Sequence, residues 1–441
     1  MDSSAMRFRW TSTLLTILPF VPPLYLIRFQ IAFLPTTVLE LYIGILFGTF
    51  LFEGRSQAII NGWKNLGHFR FPLIAWLITT LIAIFISPSL ITGLGLWRAY
   101  ILEPALIFFI LCSVRAFSPS QTELSPASRL LANRITHSLF LVTLIVTGWA
   151  VIQFVTGRGI PHPWDVSIAA GRRATGPFPY PNALALFVVP IGALALTKLS
   201  SLRSILPFVT VIAAFLACLL ARSDGGLIAL SAATWLTLFF SPPFSIPNTR
   251  YTIPIRKILI AVTTLILLLI ALIPKLHQPI LHELTFQNWS GKVRMYMWRD
   301  TRAMLKDHWF FGAGFGGYPT VFKSYQRTTG IEVFQYPHNI VLNVWSETGL
   351  PGLLAFASIL LIWVYSVFRR SSSVYAIPDS RYPILLLPLL VILIHGLIDV
   401  PYFKNDLAIV FWLLIWITTQ SSTPSVPLSP APAGSPSTTR V

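Results

Sequence analysis

The stretch 204–240 reads SILPFVTVIAAFLACLLARSDGGLIALSAATWLTLFF, two apolar runs separated by a short charged hairpin, Arg222-Ser223-Asp224. Each run approaches the roughly 20 apolar residues that an α-helix needs to cross a bilayer core about 30 Å thick. A connection this short makes consecutive helices antiparallel neighbours. The stretch therefore predicts two transmembrane helices with an arginine held at their shared end.

The same pattern recurs along the chain of 441 residues, of which 54% are hydrophobic and only 11% charged. Soluble domains carry about 25% charged residues. The fold class predicted is therefore all-α: a polytopic membrane helical bundle of about twelve transmembrane helices. The first of these helices is expected to be kinked or broken, because it contains Pro19, Pro22 and Pro23. The predicted spans are 11–28, 31–52, 71–92, 96–114, 136–155, 182–198, 204–221, 224–240, 257–274, 343–368, 382–399 and 405–419.

The formal net charge of +17 is explained by orientation in the membrane. With the N-terminus in the cytoplasm, the inside connections hold sixteen Lys and Arg, against seven in the short outside connections. This is the bias that the positive-inside rule describes, and it places both termini in the cytoplasm. No basic stretch with interleaved aromatics lies in a soluble region, so a nucleic-acid partner is not expected. Cys112 and Cys218 lie inside apolar runs, which argues against disulfides and thiolate metal sites.

The chain divides into a membrane-embedded domain, 1–420, and a tail, 421–441. Within the domain, 275–342 is predicted to be a large extracytoplasmic loop between spans 9 and 10. Aromatic and charged residues alternate from Val293 to Phe311, which indicates amphipathic helices on the membrane surface. The tail is rich in Pro, Ser and Thr and is predicted to be disordered.

His338 is the first candidate for chemistry. It lies in Gln335-Tyr336-Pro337-His338-Asn339, before a helical stretch that is interrupted at 347–352, Glu-Thr-Gly-Leu-Pro-Gly. Irregular backbone at membrane depth is tolerated where it lines a cavity or is buried in protein. A histidine there is suited to general-base catalysis. The alternative is an interfacial histidine that only forms a hydrogen bond.

Arginines on the outer side are a second candidate group, because the positive-inside rule disfavours them there. Arg222 ends a helix, and Arg172 and Arg173 precede a proline-rich segment that ends at Asn182, which can cap the next span. Such arginines could bind an anionic ligand or extend to lipid headgroups. Arg294, Trp298 and Arg302 share one helical face, which could equally meet anionic lipid.

Two further patterns favour structural roles. The glycine-dense segment 312–317 has no preceding strand, so it is interpreted as a tight turn packed against the membrane, not as a nucleotide-binding loop. His395 and Asp399 are four residues apart near the outer end of a span, and a structural hydrogen bond is favoured over a catalytic role.

Together these motifs resemble the O-antigen ligase/polymerase superfamily. Their order matches along most of the chain: Arg-x-Thr-Gly-x-Phe-x-x-Pro-Asn at 173–182, a Ser-Arg-Gly-like hairpin at 222–226, Arg-x-x-x-Trp at 294–298, Gly-x-Gly at 312–314, and His-Asn-x-x-Leu with Glu-x-Gly-x-x-Gly at 338–352. One departure stands out, since this hairpin reads Ala221-Arg222-Ser223-Asp224-Gly225, and Asp224 could pair with Arg222.

The resemblance implies a metal-independent, inverting membrane glycosyltransferase of the GT-C type, active in lipopolysaccharide and cell-envelope polysaccharide biosynthesis. Its donor would be an undecaprenyl-pyrophosphate-linked glycan on the outer side of the cytoplasmic (inner) membrane, and its acceptor a lipid, glycan or protein hydroxyl. The catalytic residues implied are His338, Arg294 and Arg222, with the arginines on the pyrophosphate. The substrate-binding residues implied are Arg173, Asn182, Arg302, Asn339 and Glu347.

The residues are consistent with this chemistry, because a lipid pyrophosphate is already a competent leaving group. Arginines can neutralise the charge that develops on it in a water-poor site. Metal-dependent transferases need clustered carboxylates, whereas outer acidic residues here are few and scattered. We therefore expect no metal or other cofactor. Ligase and polymerase activities are not distinguished by these motifs.

A transporter or flippase for lipid-linked saccharide is the main alternative. Such proteins often contain internal repeats and ionisable residues at mid-membrane. No clear repeat is found in the sequence, and Glu40 and Glu103 are the main central charges. A structural membrane protein without enzymatic activity is the third possibility.

Overall fold

The computed structural model describes residues 8–31, 34–114, 125–199, 204–240, 244–245, 252–253, 257–258, 261–264, 272, 285–372 and 382–420. Over these ranges the chain is a bundle of helices with two short antiparallel strand pairs, β1–β2 and β3–β4. The strands are β1 (Arg28–Ile31), β2 (Leu34–Thr37), β3 (Phe244–Ser245) and β4 (Thr252–Ile253).

The α-helices are numbered here in chain order over the described residues. They are α1 (Arg9–Ile17), α2 (Val38–Asn65), α3 (Arg70–Ile86), α4 (Leu90–Trp97), α5 (Glu103–Ser113), α6 (Pro126–Thr156), α7 (Pro181–Leu196), α8 (Leu206–Ala221), α9 (Asp224–Phe240), α10 (Trp289–Asp307), α11 (Tyr318–Phe322), α12 (Ile340–Ser372), α13 (Leu387–Gly396) and α14 (Asn405–Gln420).

Four helical stretches in the described ranges are long and apolar enough to cross a bilayer: Gly67–Ile86, Leu90–Ser113, Pro126–Thr156 and Ile340–Arg369. Five shorter apolar helices accompany them: Pro181–Leu196, Leu206–Ala221, Asp224–Phe240, Ile384–Gly396 and Asn405–Gln420. This is the architecture of a helical membrane protein. About twelve spans stays a prediction, since most of the ninth, 257–274, lies outside the described residues, as does the tail from 421.

The first predicted span is broken where its prolines lie. Helix α1 ends at Ile17, and the chain continues as 3₁₀ turns over Leu18–Phe20 and Pro22–Leu26. The second predicted span, 31–52, is wrong at its start, because residues up to Thr37 form the β1–β2 hairpin. Helix α2 begins only at Val38, where Thr37 and Glu40 form a reciprocal capping box.

Helices α7 and α14 lie at the centre of the bundle. Every residue of α14 is buried, and so is every residue of α7 apart from Asn182. Helix α7 packs on α8 and α13, and α14 packs on α5. Large apolar side chains on the peripheral helices, such as Phe52 and Ile91, are 85% exposed. That distribution fits a bundle surrounded by lipid, because apolar surface then needs no burial against protein.

Helix α12 is broken inside the stretch where the sequence predicts an interruption. Gly349 has φ 68° and ψ −177°, a conformation essentially restricted to glycine. The break admits the backbone of Phe310, whose carbonyl oxygen accepts a hydrogen bond from the Leu350 amide at 3.1 Å. The connection after α10 is thereby hydrogen-bonded to α12 at the break.

The glycine segment 312–317 forms the tight turn that the sequence predicts. It packs on helices: the Phe315 amide donates to the Ala83 carbonyl in α3 at 2.9 Å, and the Ala313 amide donates to the Ser346 carbonyl in α12 at 2.6 Å. Gly314 has φ 82°, and a Cβ there would overlap the backbone of Ser87. The turn therefore joins the end of α3 to the first half of α12.

Candidate functional site

Three arginines from distant parts of the sequence line one cavity of about 140 Å³. Arg173 comes from the connection before α7, Arg222 from the α8–α9 hairpin and Arg294 from the first half of α10. The same cavity is lined by Asn182, Asp224, Asn288, Ser290, His395 and Asp399, among others. Of the four arginines that the resemblance implies as site residues, the structure thus brings three together, and Arg302 is not among them.

Arg173 is fixed by the backbone around it. Its Nε donates to the Ala221 carbonyl at 2.8 Å, and one Nη donates to the Asn182 side-chain oxygen at 2.8 Å. Its guanidinium also lies 5.0 Å from the centre of the Trp164 ring. Burial lowers the pKa of Arg173; the charge of Asp224 opposes this, and the positive charges of Arg294 and Arg222 add to it. A bound anion would relieve that crowding of positive charge.

Arg222 occupies the left-handed region, with φ 49°, and ends helix α8. The turn is closed by the Ser223 amide, which donates to the Cys218 carbonyl at 3.0 Å. Within the described part of the chain, the Arg222 guanidinium forms no hydrogen bond or ion pair, including with Asp224. The pairing with Asp224 that the sequence leaves open is therefore not formed, and the guanidinium is available to a ligand.

Arg294 connects helix α10 to the α13–α14 connection. Its Nε donates to the Ile398 carbonyl at 2.9 Å, and one Nη donates to the Ser290 hydroxyl at 2.6 Å. One turn further on, the Trp298 indole donates to the Pro337 carbonyl at 2.8 Å. The face of α10 that carries Arg294 is therefore also hydrogen-bonded to the segment before His338.

Arg302 is on the same helix but does not line the arginine cavity. It is exposed and lies eight residues beyond Arg294, about 12 Å along the helix axis. The shared face predicted from spacing therefore does not place both guanidinium groups in one cavity. A substrate-binding role for Arg302 stays a prediction.

His338 forms a close pair with a buried carboxylate. Its Nδ1 lies 3.2 Å from Oδ1 of Asp399, whose other oxygen accepts a hydrogen bond from the Asn182 amide at 2.8 Å. Like Arg222, His338 has a positive φ, 48°. Strained backbone of this kind is found disproportionately at functional sites, where surrounding contacts hold it.

The Asp399 carboxylate is held in its ionised form. Burial opposes ionisation, but the charge and hydrogen bond of His338, with His395 and Arg294, outweigh it and hold the pKa of Asp399 well below its usual range. An ionised carboxylate accepts a hydrogen bond only from a protonated Nδ1. Neutral His338 would therefore keep Nε2 unprotonated and able to accept a proton.

Asp399 is a candidate site residue for which the sequence favoured only a structural hydrogen bond. The i, i+4 spacing drew attention to it but pointed to the wrong partner, His395. Helix α13 ends at Gly396, so the two side chains do not share a helical face. Their described hydrogen bond is from the Asp399 amide to the His395 carbonyl, at 3.0 Å, and the carboxylate turns to His338 and Asn182 instead.

Asn339 and Glu347 make structural contacts near the site. The Asn339 side chain caps α12 by accepting from the Leu342 amide at 3.0 Å, and it donates to the Leu397 carbonyl at 2.9 Å. The buried Glu347 carboxylate accepts from the Gly316 amide and lines a second cavity of about 340 Å³. Their substrate-binding roles remain predictions.

No group of three or more His, Cys, Asp or Glu side chains among the described residues is arranged to hold a metal ion. The expectation that no metal is required therefore stays a prediction. What these residues do form is a basic pocket bordered by a carboxylate–histidine pair.

The fold and this site define a polytopic helical membrane protein with an arginine-lined pocket at one end of its bundle. Residues 209–357 match the family model for O-antigen ligase, which confirms the resemblance to the O-antigen ligase/polymerase superfamily. The matched range contains Arg222, Arg294 and His338, whereas Arg173, Asn182 and Asp399 lie outside it. No curated protein matches the chain. The family match supports glycan transfer of the O-antigen ligase or polymerase type.

Proposed function

We propose that this protein transfers a glycan from an undecaprenyl-pyrophosphate-linked donor to an acceptor hydroxyl on the extracytoplasmic side of the membrane. One observation carries the proposal: Arg173, Arg222 and Arg294 line a single cavity that also contains Asp399, the partner of His338. A diphosphate at this place would contact cationic groups and have a base nearby.

The arginines are suited to the leaving group. A pyrophosphate gains charge as its bond to the sugar breaks, and planar guanidinium groups match phosphate oxygens in geometry. Because Arg173 and Arg294 are already hydrogen-bonded to backbone carbonyls, their positions need little adjustment during the reaction. Preorganised donors of this kind stabilise a transition state more than flexible ones.

His338 is suited to activate the acceptor. In the proposed step the acceptor O–H gives its proton to Nε2 of His338, and the oxygen forms a bond to the anomeric carbon of the donor sugar. The bond from that carbon to the phosphate oxygen breaks, and the lipid pyrophosphate leaves with the electron pair. Asp399 positions the imidazole and stabilises its protonated form. A single displacement inverts the anomeric configuration.

The placement of the site supports an extracytoplasmic reaction. Arg173, Arg222 and Lys404 belong to connections that the charge distribution assigns to the outside, and Arg294 belongs to the large loop assigned to the same side. These connections meet at one end of the bundle, as they must if they share a membrane face.

The two acidic residues that would favour a flippase are paired with an arginine. Glu40 and Glu103, the central acidic residues, both contact Arg98, at 2.6 Å and 3.6 Å. Intramembrane charges that pair with one another are a common structural solution. The Arg222 guanidinium in the arginine cavity, by contrast, has no ion pair or hydrogen bond among the described residues.

The proposal is tested by reconstituting the full chain with a lipid-pyrophosphate-linked glycan and a panel of acceptors. We expect Arg294→Ala and His338→Ala to insert normally and to lower transfer by about 10²-fold or more. The matched control is Arg158→Ala, which removes an exposed outer arginine that does not line the cavity. Wild-type turnover in both site variants would overturn the assignment.

A further inference from the structure

A second cavity, of about 340 Å³, adjoins the arginine cavity and has a different lining. Four tyrosines contribute to it: Tyr25, Tyr100, Tyr180 and Tyr336. Other polar residues join them, among them Asn343, Glu347 and Lys404. We call this the tyrosine cavity. Its volume is at the small end of the range of roughly 300–1,000 Å³ for ligand sites.

Two polar side chains in the tyrosine cavity lack hydrogen-bond partners among the described residues. Both amide atoms of Asn343 and the ammonium nitrogen of Lys404 are buried without a hydrogen bond to any described residue. Asn343 is 1% exposed and Lys404 7%. Buried polar groups are almost always satisfied, and those that are not call for an explanation such as a bound ligand. Here the unsatisfied groups lie around a volume large enough to hold one.

The tyrosines form a wall next to these polar groups. The Tyr180 and Tyr336 hydroxyls are 3.1 Å apart, and the Lys404 nitrogen lies 3.7 Å from the centre of the Tyr180 ring. A sugar ring presents apolar C–H faces, which pack on aromatic rings, and hydroxyl edges, which both donate and accept hydrogen bonds. An amide, a carboxylate and an ammonium group together satisfy both kinds of hydroxyl contact.

The same two segments of the chain contribute residues to both cavities. In the segment 179–182, Tyr180 lines the tyrosine cavity and Asn182 the arginine cavity. In the segment 399–404, Asp399 lines the arginine cavity and Lys404 the tyrosine cavity. His338 contacts Asp399 and follows Tyr336, with its ring centre 4.8 Å from that of Tyr336. An inverting displacement needs its acceptor and its leaving group on opposite sides of the reacting carbon.

We propose that the tyrosine cavity binds the acceptor, and that this acceptor is a saccharide ring. The inference rests on the proposed function and narrows it, because it excludes the hydroxyl of a serine or threonine side chain as the acceptor. A small aliphatic hydroxyl would leave the tyrosine faces and the Asn343 amide without contacts. A cavity of this volume accommodates about one or two sugar rings.

Binding and transfer are measured on the full chain in lipid nanodiscs, with two synthetic acceptors. One is a short-chain alkyl glycoside, and the other is a serine/threonine-containing peptide. Saturation-transfer NMR reads acceptor binding without donor, and transfer assays give the acceptor and donor KM separately. Asn343→Leu and Lys404→Met remove the polar groups that have no hydrogen bond, and Tyr336→Phe removes only a hydroxyl. Lys306→Met, on an exposed lysine of α10, is the matched control.

We expect the wild type to bind the glycoside and not the peptide. Asn343→Leu and Lys404→Met are expected to raise the acceptor KM at least 10-fold with little change in the donor KM, and Lys306→Met to behave as wild type. Tyr336→Phe, the variant least able to disturb folding, is expected to raise the acceptor KM severalfold. Arg294→Ala should show the opposite pattern, with glycoside binding retained and donor binding lost.

Peptide transfer without glycoside binding would overturn the inference and leave the proposed function standing. An unchanged acceptor KM in a correctly folded Asn343→Leu or Tyr336→Phe variant would also overturn it. If glycoside binding depends on Asn343 but the protein neither binds donor nor transfers glycan, the proposed function would be wrong instead.

Discussion

At the residue scale, Asp399 connects the two halves of the site. One carboxylate oxygen accepts from Asn182, which also holds Arg173, and the other contacts His338. One side chain therefore helps to position both Arg173, proposed to bind phosphate, and His338, proposed to be the base. Loss of that carboxylate should disturb catalysis more than folding.

We expect Asp399→Asn to lower transfer by about 10²–10⁴-fold, the usual contribution of a positioned general base. The pKa of Asp399 is depressed, so its stabilising contribution is complete above the usual aspartate range and is lost only as pH falls through the lower folded value. Protonation of Asp399 should therefore not limit wild-type activity at mildly acidic pH.

Turnover measured against the amount of folded protein distinguishes this role from a structural one. Without the carboxylate, Nδ1 of His338 loses the acceptor that positions the ring, so turnover should fall in Asp399→Asn while the amount of folded, inserted protein stays the same. A loss of folded protein in proportion to the loss of activity would contradict a positioning role for the carboxylate. Asp165→Asn, on an exposed outer aspartate, is the matched control.

The side chains of the candidate site were predictable from sequence to different degrees. Arg222, Arg294 and His338 could be proposed because each is a charged or titratable group in an unusual setting, at a helix end or beside a broken helix. Asp399 could not be assigned, because its partner is 61 residues away in sequence. Asn343 could not be found either, since a polar residue inside a helical run gives no signal until its burial is known.

At the scale of elements, the break in α12 positions the loop that carries α10. Gly349 lets the backbone of Phe310 approach the helix axis, and a Cβ there would overlap the Phe310 carbonyl. The sequence predicted this break from Gly349, Pro351 and Gly352. It could not predict the late start of α2, because the competing β1–β2 hairpin lies in a stretch that reads as apolar.

Gly349→Ala should destabilise the protein by at least about 2 kcal/mol, since it combines a strained backbone with a steric overlap. Thermal unfolding in detergent, followed by size-exclusion elution, measures the effect. Gly95→Ala is the control, because a Cβ at that helical position meets nothing within 4 Å. Equal melting temperatures for the two variants would show that the break is not required.

At the scale of the whole molecule, hydropathy predicted most helices, because an apolar run in a membrane must pair its backbone N–H and C=O groups within the helix. It could not show which helix ends meet, since that depends on packing between segments far apart in sequence. The distribution of Lys and Arg between the connections predicts which side of the membrane each end of the bundle faces, and the packing of the helices does not. The two cavities, at one end of the bundle, should then face the outside.

Cysteine labelling tests this orientation. Ser324 lies in the predicted outer loop and Ser56 in α2, near the predicted inner end, and both are exposed. We expect Ser324→Cys to react with a membrane-impermeant maleimide in intact cells, and Ser56→Cys to react only after permeabilisation. The native Cys112 and Cys218 are buried and should give little background. The reverse labelling pattern would show that the predicted topology is inverted.

The most direct test of the account is a cryo-electron microscopy map of the wild-type chain in a nanodisc with a lipid-pyrophosphate-linked glycan. We predict diphosphate density between the guanidinium groups of Arg173, Arg222 and Arg294, with the first sugar next to His338. Diphosphate density elsewhere, with these three side chains in contact only with protein or water, would contradict it.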